Sequence, residues 1–209
     1  KLSDETIPEE NKLPKGSMTL VDSATSASLS RQTEGMEKIL AAGGSVANTI
    51  DGLAHLGAPT SFIGKVGNDE LGRIYSEGLK NIGAKPQLFK SFSPTGVAMA
   101  LVTPDSERTF GTYLGAAVEM SARDLSPRLF EGYNIAYIEG YLVQNHDLVR
   151  EAALLAKNAG LKIALDLASY NVVEGNLDFL KEIASEYVDI IFANEEESKA
   201  FTGKNPSES

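Results

Sequence analysis

Cysteine is absent from all 209 residues, which excludes a disulfide framework and any thiolate metal site. Positive charge is scarce: 19 Lys and Arg stand against 29 Asp and Glu, a net charge of −10 with a pI near 4.7. Such a chain cannot broadly neutralise a phosphate backbone, so a non-specific nucleic-acid binder is excluded. A small phosphorylated ligand is not, because it needs only a few local donors. No apolar run approaches the roughly 20 residues that cross a bilayer, and no membrane partner is expected. The acidic start, Lys1-Leu2-Ser3-Asp4-Glu5, does not read as a signal peptide. The cysteine-free composition fits a reducing cytoplasm. His55 and His146 are isolated and lack partners at ligand spacing, so both read as surface residues. Neither Gly-x-Gly-x-x-Gly nor Gly-x-x-x-x-Gly-Lys-Ser/Thr occurs, which weighs against a nicotinamide-dependent oxidoreductase and a P-loop enzyme. There is no nucleophile elbow.

What is present suits one domain, with a small appendage at most: 42% hydrophobic and 23% charged residues. From residue 45 onward, helix-like and strand-like patterns alternate. Val46, Ile50, Leu53 and Ala54 keep helical spacing up to Gly57, and Phe62–Val66 reads as a strand. Leu71, Tyr75, Leu79 and Ile82 form a second helical stripe ending at Gly83. Ile135–Ile138, Ile163–Leu165 and Val188–Ala193 read as strands, with helices starting near His146 and over Leu177–Tyr187. Apolar strands alternating with helices predict a parallel sheet covered on both faces, the α/β class.

One stretch breaks the rhythm. Gln87–Phe89, Val97–Val102 and Thr109–Leu114 read as strands with no helix between them, and Thr103–Glu107 supplies turn chemistry. With Leu20-Val21 they predict a small antiparallel flap, a lid over a site. Glu107-Arg108 at its turn reads as a solvated ion pair. The Ser/Ala/Thr run from Ser23 to Ser30 comes nearest to low complexity.

Chemistry is suggested by two glycine turns. Gly43-Gly44-Ser45-Val46-Ala47-Asn48 opens a helix where amides still lack partners, and Asn48 adds a side-chain amide that both donates and accepts. The turn reads equally as plain helix–sheet packing or as a seat for a polyol. Gly67-Asn68-Asp69-Glu70-Leu71-Gly72 opens the next helix, with Asp69 read as its N-cap, and Thr95-Gly96 marks entry into a strand. Glu139, Asp166 and Asn194 each follow a strand end, where open parallel sheets gather ligands. Asn194 caps a helix in the plainer reading. With Glu197 one turn on, it could also offer hard oxygen to Mg²⁺, directly or through water.

Assembled in order, these elements resemble the ribokinase-like (PfkB) family of carbohydrate and nucleoside kinases. The likeness rests on Gly43–Asn48, Gly64–Gly72, Pro94-Thr95-Gly96 and Asn194–Glu197, and runs from about Lys12 to Gly203. Tyr137–Gly140 and Tyr187–Asn194 look most like adenosine-kinase-type members. The resemblance implies a Rossmann-like three-layer α/β fold with a small antiparallel β lid, drawn from about 17–22 and 86–114. It implies an ATP-dependent phosphotransferase acting on a primary hydroxyl of a sugar or nucleoside such as adenosine, ribose or fructose. Gly43, Gly44, Asn48 and Glu139 would bind that acceptor, Asn194 and Glu197 would serve Mg²⁺ and the ATP phosphates, and Ala98, Met99 and Ala100 would close over the ligand. Val46 and Ile50 are bulkier than the family's usual residues. The family's Gly-Ala-Gly-Asp motif, which supplies anion hole and base, has no counterpart in residues 1–209, nor has its acceptor-binding first strand. The expectation is a partial kinase domain, inactive by itself and without a catalytic residue of its own, or alternatively a non-catalytic sugar- or nucleoside-binding module. An exposed lid edge invites pairing of two subunits.

Overall fold

The computed structural model describes residues 2–205, which divide into a unit ending at Glu119 and a second beginning at Met120. Each is taken by itself.

The first unit starts with a short helix α1 (Thr6–Glu10), strand β1 (Met18–Leu20) and helix α2 (Ser23–Gln32). The Ser/Ala/Thr run is therefore a helix. Asp22 caps it by accepting the Thr25 N–H at 2.7 Å, and Leu29, 1% exposed, anchors it. Next come α3 (Ser45–His55), β2 (Ser61–Gly67), α4 (Glu70–Asn81) and β3 (Lys85–Ser91). Strands β2 and β3 pair in parallel over their whole length, from Ser61–Lys85 to Gly67–Ser91. Placing Gln87–Phe89 in the flap is thus corrected: α4 is the crossover that returns the chain beside β2 in the same direction. Ile50, Leu79 and Ala84 form the core of this βαβ layer, with Val46, Phe62, Tyr75, Ile82 and Leu88 packed around them.

Strands β4 (Val97–Val102) and β5 (Arg108–Tyr113) form the expected hairpin, antiparallel from Val97–Tyr113 to Val102–Arg108. Its turn is held by the Thr103 N–H donating to the Glu107 carbonyl at 3.0 Å and the Thr103 hydroxyl donating to Asp105 at 2.5 Å. The ion pair there joins Lys15 to Asp105 at 2.6 Å, and none among the described residues joins Glu107 to Arg108. The flap is a mixed sheet rather than an antiparallel one, because β1 runs parallel to β5 in the order β1-β5-β4. Alternation gives it two faces. Met99 and Leu101 pack with Leu2, Leu13 and Leu29, whereas Met18, Leu20, Ala98 and Ala100 are exposed on the other side. On the strand carrying Ala98, Met99 and Ala100, Met99 therefore faces the core and the two alanines the other side.

In the second unit, β6 (Ile135–Ile138), β7 (Lys162–Asp166) and β8 (Ile190–Phe192) form a parallel sheet in that order. Between them run α5 (His146–Asn158), α6 (Tyr170–Gly175) and α7 (Leu177–Glu186), and α8 (Glu195–Thr202) follows. Ile163 and Leu165 are fully buried, as are Val149, Ala153, Leu180 and Ile183 of α5 and α7. Strand β8 is shorter than the apolar run because Asp189 extends the ladder with its side chain. Its N–H donates to the Ile163 carbonyl, and its carboxylate accepts the Ile163 N–H, both at 2.8 Å. Ile190, Ile191 and Phe192 are 39–51% exposed, and β8 pairs on one side only among the described residues. No helix of the described residues is long and apolar enough to cross a membrane. The α/β class with parallel strands is as the periodicity predicts.

Candidate functional site

The first glycine turn is open. Gly44 is the N-cap of α3 at φ +106°, ψ 151°, a conformation that disfavours any side chain. Its carbonyl accepts the Asn48 N–H at 3.0 Å. No side chain caps the helix, in contrast to Asp22 at α2 and Asp69 at α4. A Cβ at Gly43 or Gly44 would meet nothing within 4 Å, so neither glycine is there to relieve crowding. Asn48 is exposed one turn in. The turn is held from behind by α4: the Tyr75 hydroxyl donates to the Gly43 carbonyl at 3.2 Å. Burial pushes the Tyr75 phenol up to about 12, so it remains a donor at neutral pH.

The second turn is closed. Asp69 caps α4 through the Gly72 N–H at 2.8 Å, as read from the sequence. It also accepts the Thr95 hydroxyl at 2.6 Å and the Thr95 N–H at 2.8 Å, and that hydroxyl in turn accepts the Gly67 N–H at 2.9 Å. Burial raises the Asp69 carboxyl, but the Thr95 hydroxyl and N–H, the Gly72 N–H and the charge of Lys90 outweigh it, so the net shift is downward. The motif's glycines serve packing. A Cβ at Gly67 would lie 2.6 Å from the Thr95 nitrogen, and one at Gly72 would lie 2.4 Å from the Gly67 carbonyl oxygen. Beside this node, Glu119 accepts both the Ser91 and the Ser93 hydroxyls, which hold its carboxyl below the usual range. The Asp69–Thr95 bonds, the Tyr75–Gly43 bond and the Glu119 pair were not foreseen from sequence. Their members lie 26 to 32 residues apart, beyond the reach of any local pattern.

In the second unit, Glu139, Asp166 and Asn194 do line the carboxyl ends of three adjacent strands. Ile138 pairs with Leu165 and Asp166 with Phe192, two residues before Asn194. Gly140 lies so close that a Cβ there would come 2.2 Å from the Asp166 carbonyl oxygen. Asp166 accepts the Ala168 N–H at 3.1 Å. Asn194 and Glu197 form a reciprocal capping box at α8. The Asn194 side-chain oxygen accepts the Glu197 N–H at 2.9 Å. The Glu197 carboxylate accepts the Asn194 N–H at 3.0 Å and its side-chain NH₂ at 2.8 Å. Glu197 is 6% exposed with both oxygens engaged, which leaves neither spare for direct ligation of a cation. Among the described residues no group of three or more His, Cys, Asp and Glu could hold a metal.

Gly43, Gly44 and Asn48 thus share one helix start, and Glu139, Asp166, Asn194 and Glu197 share one sheet rim. His55 and His146 are both exposed, as expected. His146 stacks on Phe179 with ring centroids 3.8 Å apart and lies 3.2 Å from the Asn176 side-chain oxygen.

The profile of the pfkB family carbohydrate kinases matches residues 20–209. Fructokinase-2 of Zea mays is 34% identical over 84 residues, covering 39% of this chain and 25% of that protein. Ribokinase of Haemophilus influenzae is 30% identical over 169 residues, 78% of this chain and 52% of that protein. The crystal structure of adenosine kinase from Sinorhizobium meliloti superposes with a TM-score of 0.78 at 34% identity, covering 96% of this chain and 63% of that one. The chain therefore spans less than two thirds of each of these relatives. Matched over all but its first 19 residues, it belongs to the pfkB family of carbohydrate kinases.

Proposed function

We propose that the protein to which this chain belongs transfers the γ-phosphoryl group of ATP to a primary hydroxyl of a nucleoside or sugar, adenosine, ribose and fructose being the first candidates. The observation that carries the reading is the uncapped start of α3. No side chain caps it, nothing crowds Gly43 or Gly44, and Asn48 is exposed one turn on, in the chemistry a hydroxyl-rich acceptor needs. Gly43 and Gly44 let the acceptor approach backbone, and Asn48 bonds its hydroxyls. The β1-β5-β4 sheet acts as the lid, its exposed Met18, Leu20, Ala98 and Ala100 excluding water from the acceptor. This apolar face favours an acceptor with a planar base over a bare sugar.

Asn194 and Glu197 would hold hydrated Mg²⁺ with the ATP phosphates. When bound, the ion offsets charge on the transferring phosphoryl group. The capping box holds the Glu197 side chain in one orientation and Asn194 fixed at the strand end. The reading assigns no catalytic base to any of these residues, and it places the protein among cytoplasmic enzymes. Calorimetry with adenosine, ribose and fructose, paired with an ATP-consumption assay on the full-length protein, tests it. Saturable binding of one acceptor that weakens at least tenfold on Asn48→Ala supports the reading. Binding without turnover would favour a non-catalytic module, and no binding of any of the three would refute it.

A further inference from the structure

Helix α4 touches both features on which the proposed acceptor site depends. At its N-terminus, Asp69 fastens Thr95, which is 6% exposed and stands immediately before Gly96 and β4. The exit of β5 arrives at the same point. A Cβ at Gly96 would lie 2.5 Å from the Leu114 carbonyl oxygen, and the Ala116 N–H donates to the Pro94 carbonyl at 2.8 Å. Gly115, at φ +52°, makes that crossing, with its own Cβ position 2.4 Å from the Pro94 carbonyl oxygen. Both strands of the hairpin are therefore rooted on the start of α4.

Tyr75 lies six residues on, about 9 Å further along the helix at 1.5 Å per residue. Its hydroxyl holds the Gly43 carbonyl, and a Cβ at Gly78 would lie 3.0 Å from Ala42 Cβ. A trans peptide is planar, with its C=O and N–H opposed. Fixing the Gly43 carbonyl toward Tyr75 therefore aims the Gly44 N–H away from α4. The helix is also clamped to the layer below. Tyr75 meets Phe62 of β2 edge-on at 5.7 Å, and Leu79 is fully buried.

We infer that α4 is a strut linking the root of the β4–β5 hairpin to the Gly43–Gly44 turn, with Thr95 as a positioning residue at its N-terminus and Tyr75 as another halfway along it. This rests on the proposed acceptor site for its purpose, but not for its test. Loosening either joint changes the other, so the turn and the hairpin take up their geometry together rather than separately.

The test uses the 209-residue chain and backbone NMR with three variants: Thr95→Val, which removes only the bridging hydroxyl, Thr95→Ser, which keeps it, and Tyr75→Phe. In Thr95→Val, the Gly43 and Gly44 amide resonances are expected to shift and their order parameters to fall from about 0.85 toward 0.6. Amides of Leu88 and Phe89 in β3 stay unchanged, and Thr95→Ser restores the parent spectrum. In Tyr75→Phe, the same change reaches Thr95 and Gly96. A Thr95→Val effect confined to residues 67–72 and 94–97 would overturn the strut, as would general broadening that Thr95→Ser does not reverse. Should Thr95→Val fail to fold, Tyr75→Phe decides by whether Thr95 and Gly96 move. An adenosine titration forms a separate arm, with Thr95→Val and Tyr75→Phe each weakening affinity about tenfold and Thr95→Ser matching the parent. If the parent chain binds none, the acceptor reading fails while the spectra still decide the strut.

Discussion

Exchanging Asn194 for aspartate separates a plain helix cap from the reciprocal arrangement seen at α8. Asp caps helices as well as Asn does, so capping alone predicts no loss. In this structure the Asn194 NH₂ group donates to a Glu197 oxygen at 2.8 Å. In Asn194→Asp, a second carboxylate oxygen takes its place. A charge-assisted hydrogen bond of about 1.5–3 kcal/mol disappears. Repulsion adds to this loss, about 4 kcal/mol for unit charges 4 Å apart at an effective dielectric constant of 20. The side chains can escape by giving up the cap, which costs about 1 kcal/mol more, or by binding a proton. The net loss at pH 7 is therefore about 2–4 kcal/mol of helix stability. Because α8 can open without the rest of the unit, the assay is amide exchange at Ser198–Thr202, the Ser198 N–H being bonded to the Asn194 carbonyl. Exchange should accelerate roughly 30-fold or more at pH 7, and the difference should shrink below about pH 5 as one carboxyl takes up a proton. An Asn194→Asp chain as protected as the parent at pH 7 would refute the reciprocal account.

Gly44→Ala should cost about 1–3 kcal/mol in urea denaturation through backbone strain alone, since nothing crowds its Cβ; Gly43→Ala, equally uncrowded and without a positive φ, should be near neutral. Gly140→Ala forces a Cβ to within 2.2 Å of backbone and should melt the second unit at lower temperature than a buried Leu180→Ala change does, by calorimetry. The depressed Asp69 carboxyl contributes stability that is present above its ordinary value near 3.8 and is lost as the pH falls through the lower folded value. Thermal unfolding of the parent should therefore weaken on acidification below about pH 4, and Thr95→Val, lacking the hydroxyl donor, should weaken less steeply over that window.

Where a segment's structure depends on its neighbours in sequence, reading the chain went far. The stripe from Leu71 to Ile82, the Asp69 and Asn194 caps, the hairpin turn at Thr103–Glu107 and the strand Ile135–Ile138 all follow from local periodicity and side-chain chemistry. Strand pairing was another matter. The composition of Gln87–Phe89 cannot reveal that it lies beside Ser61–Gly67, because the choice is made by α4, which precedes it. The orientation of β1 against β5 and the inward turn of Met99 are likewise set by packing with Leu13 and Leu29. At the candidate site, the residues that would meet a ligand were visible as glycines and amides. The residues that hold them, Thr95 and Tyr75, were not, since an unremarkable threonine and a tyrosine in an apolar stripe carry no signal until the chain is folded.

The outer margin of β8 has a consequence for handling the protein. Three successive apolar residues, Ile190-Ile191-Phe192, flank a row of backbone donors and acceptors that pairs on one side only among the described residues, a template on which another chain can add a strand. At low ionic strength the net charge of −10 keeps copies apart. Salt near 1 M shortens the range of that repulsion to about 3 Å while leaving the apolar margin as sticky as before. Solutions of this chain should thus stay clear in dilute buffer and thicken into oligomers as salt is raised, the reverse of a protein held together by ion pairs.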